Sequence, residues 1–272
     1  MQIIPVASAL AAFVCVASTA VTADTSGDQP AWGYDEDDAE MLAPADWASV
    51  YPTCAGKRQS PIDIDTTGRC GVDDDEREVP LKFNGACSDF KLKQQDDAFK
   101  GEVLEGSCTV TAGKSKPFSL LQFHMHAPSE HTLNGKYYDA EAHFVHKNDD
   151  GLLVVGLFIE KKDGAETNSF LKQVWQQLDD VHANKTTTLE LSSYSKLLTT
   201  SAENGPIFNY PGSLTTPPCD ETVDWWVLRK PITVSADDFD HFIEHTERLP
   251  ALDDGEGSRP TQPLNGRKVQ VF

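Results

Sequence analysis

Beyond a first acidic cluster at Asp35–Glu40, the chain breaks into short runs rich in Val, Leu, Phe and Thr, separated by Gly, Pro and Asn. Four runs carry strand-like alternation or a short apolar block: Phe118–His126, Ala140–His146, Leu152–Glu160 and Val223–Leu228. Between the first two stands Asn134-Gly135, a favoured tight-turn pair, which predicts that the second strand doubles back beside the first. Helical periodicity is scarcer and is expected over Ser169–Leu178 and Ala236–Arg248. No linker-like or low-complexity stretch interrupts these runs and no repeat stands out, so the pattern predicts one mainly β domain.

The exception is the N-terminus. Residues 1–23 contain no Asp, Glu, Lys or Arg, and Ile3 to Val16 is apolar. With small residues at Val21-Thr22-Ala23, this reads as a signal peptide cleaved after Ala23, leaving a domain over 24–272 with no integral membrane anchor. The expected destination is outside the cytoplasm: extracellular, a periplasmic space or an organelle lumen.

Composition adds a second constraint. Among 272 residues, 23 are Lys or Arg and 43 are Asp or Glu, a net charge of −20. Nucleic acid and anionic bilayers are poor partners for such a surface, because both demand clustered cations. Six cysteines less Cys15 in the leader leave Cys54, Cys70, Cys87, Cys108 and Cys219. In an oxidising compartment these pair, with one left over, and spacing alone leaves the connectivity open. Asn184-Lys185-Thr186 is an N-glycosylation sequon.

The chemistry concentrates in the histidines, five of eight falling between positions 124 and 146. In Gln122-Phe123-His124-Met125-His126 the two imidazoles are two residues apart, which on a strand puts them on one face. Ala140–His146, returning antiparallel, brings His143 to the same place, with Glu141 and Val145 on its face and His146 on the other. Three neutral imidazoles around an open fourth position make a catalytic zinc site rather than a structural one. Gln122 and Glu141 stand where they can hold the remaining ring nitrogens of His124 and His143. His146 is expected to be a satisfied core histidine and His131 a loop histidine.

These residues, together with Ser129-Glu130-His131-Thr132, Gln59–Ile64, Tyr210–Cys219 and Arg259–Asn265, resemble the alpha-class carbonic anhydrases, in the family's order over nearly all of 24–272. The resemblance implies a large, twisted, mostly antiparallel central sheet with short peripheral helices, and zinc held by His124, His126 and His143. The implied reaction is reversible hydration of carbon dioxide to bicarbonate and a proton, by attack of zinc-bound hydroxide. Thr215 would orient that hydroxide and pass its own proton toward Glu130. Val145, Val154, Leu214, Val223 and Trp225 match the family's apolar wall for carbon dioxide, and Thr216 lies where bicarbonate binds. Tyr34 matches a cleft tyrosine that orders water. Cys54 and Cys219 match the disulfide of exported members; the pairing of Cys70, Cys87 and Cys108 stays open, with Cys87–Cys108, facing each other across neighbouring strands, as the candidate second bridge, which would make Cys70 a free or intermolecular thiol. The shuttle histidine that fast members carry after an Asn-Gly pair has no counterpart in Asn84-Gly85-Ala86-Cys87, so proton release is expected to be slow and buffer-dependent, its route unknown. A non-catalytic binding or storage protein on the same scaffold is the alternative, but such proteins lose zinc ligands and this chain keeps all three. A peptidase would need an H-E-x-x-H helix, which the chain lacks.

Overall fold

Residues 118–126 bury every second side chain almost throughout, and that period sorts the protein into two faces. The computed structural model describes residues 31–67 and 80–272. The leader over 1–23 and Cys70 lie outside the described residues. The strands are β1 (Asp63–Ile64), β2 (Leu81–Gln94), β3 (Phe99–Ala112), β4 (Phe118–His126), β5 (Thr132–Leu133), β6 (Ala140–Asn148), β7 (Gly151–Lys161), β8 (Thr187–Glu190), β9 (Ile207–Gly212), β10 (Val223–Val234) and β11 (Gln270–Val271). Among the described residues three short helices accompany them: α1 (Ser169–Trp175), α2 (Tyr194–Glu203) and α3 (Ala236–Thr246).

Nine strands form one sheet in the order β11-β9-β10-β7-β6-β4-β3-β2-β8, while β1 and β5 make a separate parallel pair. Among the described residues only β10 and β7 run parallel within the large sheet, so it is mostly antiparallel as expected. The four predicted strands are β4, β6, β7 and β10, the last running on to Val234. The predicted first helix stops at Trp175, and a separate 3-10 turn follows at Leu178–Asp180. The side chains of Asn168, Ser193 and Ser235 cap the N-termini of α1, α2 and α3, accepting from backbone N–H groups in the first turn.

Period two explains where the core sits. Phe123 and Met125 of β4 and Phe144 of β6 point to the helical side, where Phe123 meets Phe170 of α1 at 5.1 Å between ring centres. Their neighbours His124, His126 and His143 therefore point to the opposite face. On that face a second apolar cluster is built from Val154, Phe158, Tyr210, Val223, Trp225 and Val227.

The Asn134-Gly135 pair does turn the chain, with φ of 53° and 75°, but it closes a tiny hairpin between Leu133 and Lys136 rather than joining β4 to β6 directly. The 14-residue strands β2 and β3 are the largest element that periodicity did not single out. Their alternation is blurred by Gly85, Gly101, Gly106 and a register shift near Asp89. Disulfides join Cys54 to Cys219 and Cys87 to Cys108.

Candidate metal centre

Antiparallel pairing of β4 with β6 puts His124 directly opposite His143 and His126 opposite Glu141. The imidazole centroids form a near-equilateral triangle, 5.1 Å from His124 to His126, 5.2 Å from His124 to His143 and 4.9 Å from His126 to His143. One ligand nitrogen from each lies within 4.8 Å of the others. Opposite His143 on β7 is Gly156, where a Cβ would stand 2.6 Å from Glu141 Oε1. The missing side chain is what leaves room for the carboxylate.

Each ring is oriented from behind. Gln122 Oε1 lies 2.9 Å from His124 Nδ1, and the Gly257 carbonyl lies 2.7 Å from His126 Nδ1. His143 Nε2 lies 3.2 Å from Glu141 Oε1 without forming a hydrogen bond there. His126 Nε2 and His143 Nδ1 face the same atom, Glu130 Oε2, at 3.6 and 3.8 Å. Burial, reinforced by the neighbouring His126 and His143 and by Lys100, holds the His124 imidazole well below its ordinary pKa. Burial also lowers His143, against the pull of Glu141. Both shifts favour the neutral imidazole that a metal ligand must be.

Glu141 anchors a longer chain. Its Oε2 accepts from the backbone N–H groups of Glu130 and His131, and its Oε1 lies 2.8 Å from His131 Nδ1. His131 Nε2 reaches the Tyr210 hydroxyl at 2.6 Å, and that hydroxyl donates to Ser60 Oγ. Burial alone would raise the Glu141 carboxyl, but His131 and His143 outweigh it and hold it well below the carboxylate range. His131 thus belongs to a loop, as expected, but is fully buried and bridges Glu141 to Tyr210. Its grouping with Glu141 and His143 is this hydrogen-bonded chain, not a second ion site.

The fit to a cation rests on buried polar atoms. His126 Nε2 and Glu130 Oε2 are sequestered without a hydrogen-bond partner, while His143 Nε2 is turned to Glu141. Such a cluster of orphaned donors and acceptors costs stability unless something charged sits among them. Three imidazoles with a carboxylate just behind suit zinc.

The remaining predicted residues surround this point. Gln122, Val145, Val154 and Trp225 follow one another across β4, β6, β7 and β10 in a single row. Val223 is buried in the same apolar cluster, and Leu214 packs against it from the loop after β9. Thr215 is buried and Thr216 half-buried in that loop, which the Cys54–Cys219 bond ties down. No hydrogen bond links Thr215 to Glu130; the carboxylate instead accepts from the Arg259 backbone N–H at 3.1 Å. Tyr34 is buried, its hydroxyl unpartnered, and burial raises its pKa well above the ordinary value. His146 is the satisfied core histidine expected, held between the Leu153 carbonyl and the Tyr194 hydroxyl. Asn184 is exposed in a turn.

Asn84-Gly85 is far from the histidines. It pairs with Thr109 and Cys108 of β3, and Thr109 pairs with Ser119, five residues before His124 along β4, about 17 Å at strand rise. The turn that reaches the histidine end is 95–98, where the Ala251 N–H donates to the Asp96 carbonyl. There Lys100 Nζ lies 3.3 Å from both Asp97 carboxylate oxygens, and Lys100 shares the face of Glu102, which pairs with Gln122. Sequence reasoning gave no role to Asp97, Lys100 or Gly257 and named Arg259 only within a family segment; the contacts of Gly257 with His126 and of Arg259 with Glu130 span 131 and 129 positions.

Residues 42–272 match the family model described as eukaryotic-type carbonic anhydrase. The chain is 32% identical to a carbonic anhydrase of Pectobacterium carotovorum over 268 residues, covering 96% of each protein. It is 32% identical to carbonic anhydrase 7 of Mus musculus, covering 88% of this chain and 96% of that protein. Among solved structures, the alpha-carbonic anhydrase of Photobacterium profundum superposes with a TM-score of 0.68 at 31% identity, covering 88% of this chain and 99% of that one. The Thermovibrio ammonificans alpha-carbonic anhydrase, in complex with the inhibitor sulfanilamide, gives 0.69 at 32%, covering 88% and 97%.

Proposed function

The chain belongs to the alpha-class, eukaryotic-type carbonic anhydrases, enzymes that hydrate carbon dioxide, and from that premise we propose a zinc-dependent reaction in which His124, His126 and His143 hold the ion. The observation that carries this is the triangle of the three imidazoles, with the buried, unpartnered His126 Nε2 among them. When bound, zinc supplies a Lewis acid that brings the pKa of water to about 7, a value general to this enzyme family.

The protein's own groups do the rest. Gln122, Glu141 and the Gly257 carbonyl fix the ring orientations, and Glu130 holds negative charge behind the ligands. The Thr215 hydroxyl would orient the attacking oxygen once a side-chain movement brings it to Glu130, so its contribution is positioning rather than acid–base exchange. Val145, Val154, Leu214, Val223 and Trp225 form a dry wall for an uncharged substrate, and Thr216 holds the product anion.

A proton must then leave, and no imidazole stands at turn 95–98, where an Asp97–Lys100 ion pair occupies the histidine end of the β2–β3 hairpin. Imidazole is the side chain suited to carrying protons near neutrality, so release through buffer limits the rate. We further propose a domain over 24–272, exported after loss of 1–23, with a glycan at Asn184; the two disulfides favour an oxidising compartment.

Elemental analysis of the purified chain beside stopped-flow hydration of carbon dioxide tests this reading. One zinc at the three histidines, activity blocked by a sulfonamide, and turnover that climbs with imidazole concentration are expected. A metal-free, inactive protein would favour a binding or storage role. A rate indifferent to buffer would refute the limiting proton step alone.

A further inference from the structure

A second convergence of imidazoles lies on α3. His241 and His245 are four residues apart on that helix, a spacing that brings two side chains to one face. Their ring centroids stand 4.5 Å apart with planes at 88°. From the 3-10 turn Leu178–Asp180, Asp179 Oδ1 comes within 3.1 Å of His245 Nε2. One ligand atom from each of the three residues lies within 4.8 Å of the others. Donors at zinc-ligand distance, about 2.0–2.2 Å from a tetrahedral ion, stand roughly 3.3–3.5 Å apart, so only small side-chain movements would complete the set.

We propose that His241, His245 and Asp179 form a second divalent-metal site, peripheral to the reaction, that fastens α3 to the turn beside it. Two imidazoles and one carboxylate select the zinc, nickel and copper class over calcium or magnesium, which require mostly oxygen. The His245 side chain is 9% exposed, and its Nδ1 is sequestered with no partner, so the ring is tied only through Nε2 toward Asp179. Burial first, then Arg248 and His241, lower its pKa, which keeps a lone pair free at neutral pH. Asp179 is exposed, leaving the outer coordination positions to water.

The groups facing the cluster argue both ways. Arg248 opposes a cation, but its Nε donates to the His245 carbonyl and its Nη2 to the Leu178 carbonyl, so it also holds the Asp179 turn against the helix. Asp238, one turn before His241, adds negative charge, while Asp180 is already paired with Lys185. Phe99 borders the buried side of His245.

The test uses the full enzyme with zinc at the catalytic histidines. After equilibration at micromolar free zinc and removal of excess, elemental analysis should find two zinc ions per chain. His241→Ala and Asp179→Asn should each return the count to one, with carbon dioxide hydration within twofold of the parent. Nickel added to zinc-loaded protein should raise the Tm of the parent and leave His241→Ala unmoved. A parent that holds one zinc and shows no nickel response would overturn the proposal, as would a second ion retained in both variants. Absence of zinc at the catalytic histidines is a separate result, which would count against the proposed reaction instead.

Discussion

Gly156 and His146 show how single positions constrain the centre from opposite faces of β6 and β7. A Cβ at Gly156 would collide with Glu141 Oε1, a buried oxygen already tied to His131. Gly156→Ala is therefore expected to cost about 1–3 kcal/mol of stability through overpacking, and to weaken zinc affinity about 10–100-fold through loss of the supporting carboxylate. Competition with a calibrated chelator, beside urea unfolding, measures both. His146 sits on the core side, where burial pushes its imidazole from 6.5 down to about 4. The unfolded chain binds the proton more tightly, so this group's contribution is whole above pH 6.5 and drains away as pH falls toward 4. Linkage puts the loss at about 2 kcal/mol by pH 5. Urea unfolding at pH 7.5 and pH 5 should show it, and replacing the pair by His146→Phe with Tyr194→Phe should remove that part of the slope.

At the scale of elements, the loop 213–219 is the part most dependent on a remote tether. Leu214 N–H donates to the Asp220 carbonyl and Trp225 Nε1 to the Ser213 carbonyl, and the bond from Cys219 to Cys54 adds a covalent link beside the hydrogen bonds from Gln59 to the Cys219 carbonyl and between Ser60 and Ser213. The linked residues are 165 apart in sequence. On the chain-entropy account, such a closure contributes about 5 kcal/mol. The Cys54→Ser/Cys219→Ser variant should lose stability of that order, and its kcat/KM should fall with it as Thr215 loses its fixed place. If denaturant midpoints move while kcat/KM holds, the tether serves stability alone. The hairpin β2–β3 carries the other disulfide partway along its length, beside the register shift and in the helical core.

For the whole molecule, what could be read in the linear chain follows one rule: local periodicity was visible and distant convergence was not. Strands β4, β6, β7 and β10 announce themselves by alternation, and the pairing of β4 with β6 follows from their nearness in sequence. The long β2–β3 hairpin did not, because its glycines and shifted register break the period. The same irregularity hid which end of the hairpin approaches the histidines, so Asp97 and Lys100 carried no signal in the sequence. The α3 histidines were likewise hidden, because Asp179 completes their cluster from a separate turn 62 positions earlier than His241.

The same distant convergence has a bearing on biosynthesis. His126 takes its orientation from the carbonyl of Gly257, 131 residues downstream, and Glu130 from the amide of Arg259. A ribosome delivers all three histidines long before either anchor exists. Ion capture by a nascent polypeptide would then meet a His126 ring without its anchor, so a full set of oriented ligands awaits synthesis of the tail.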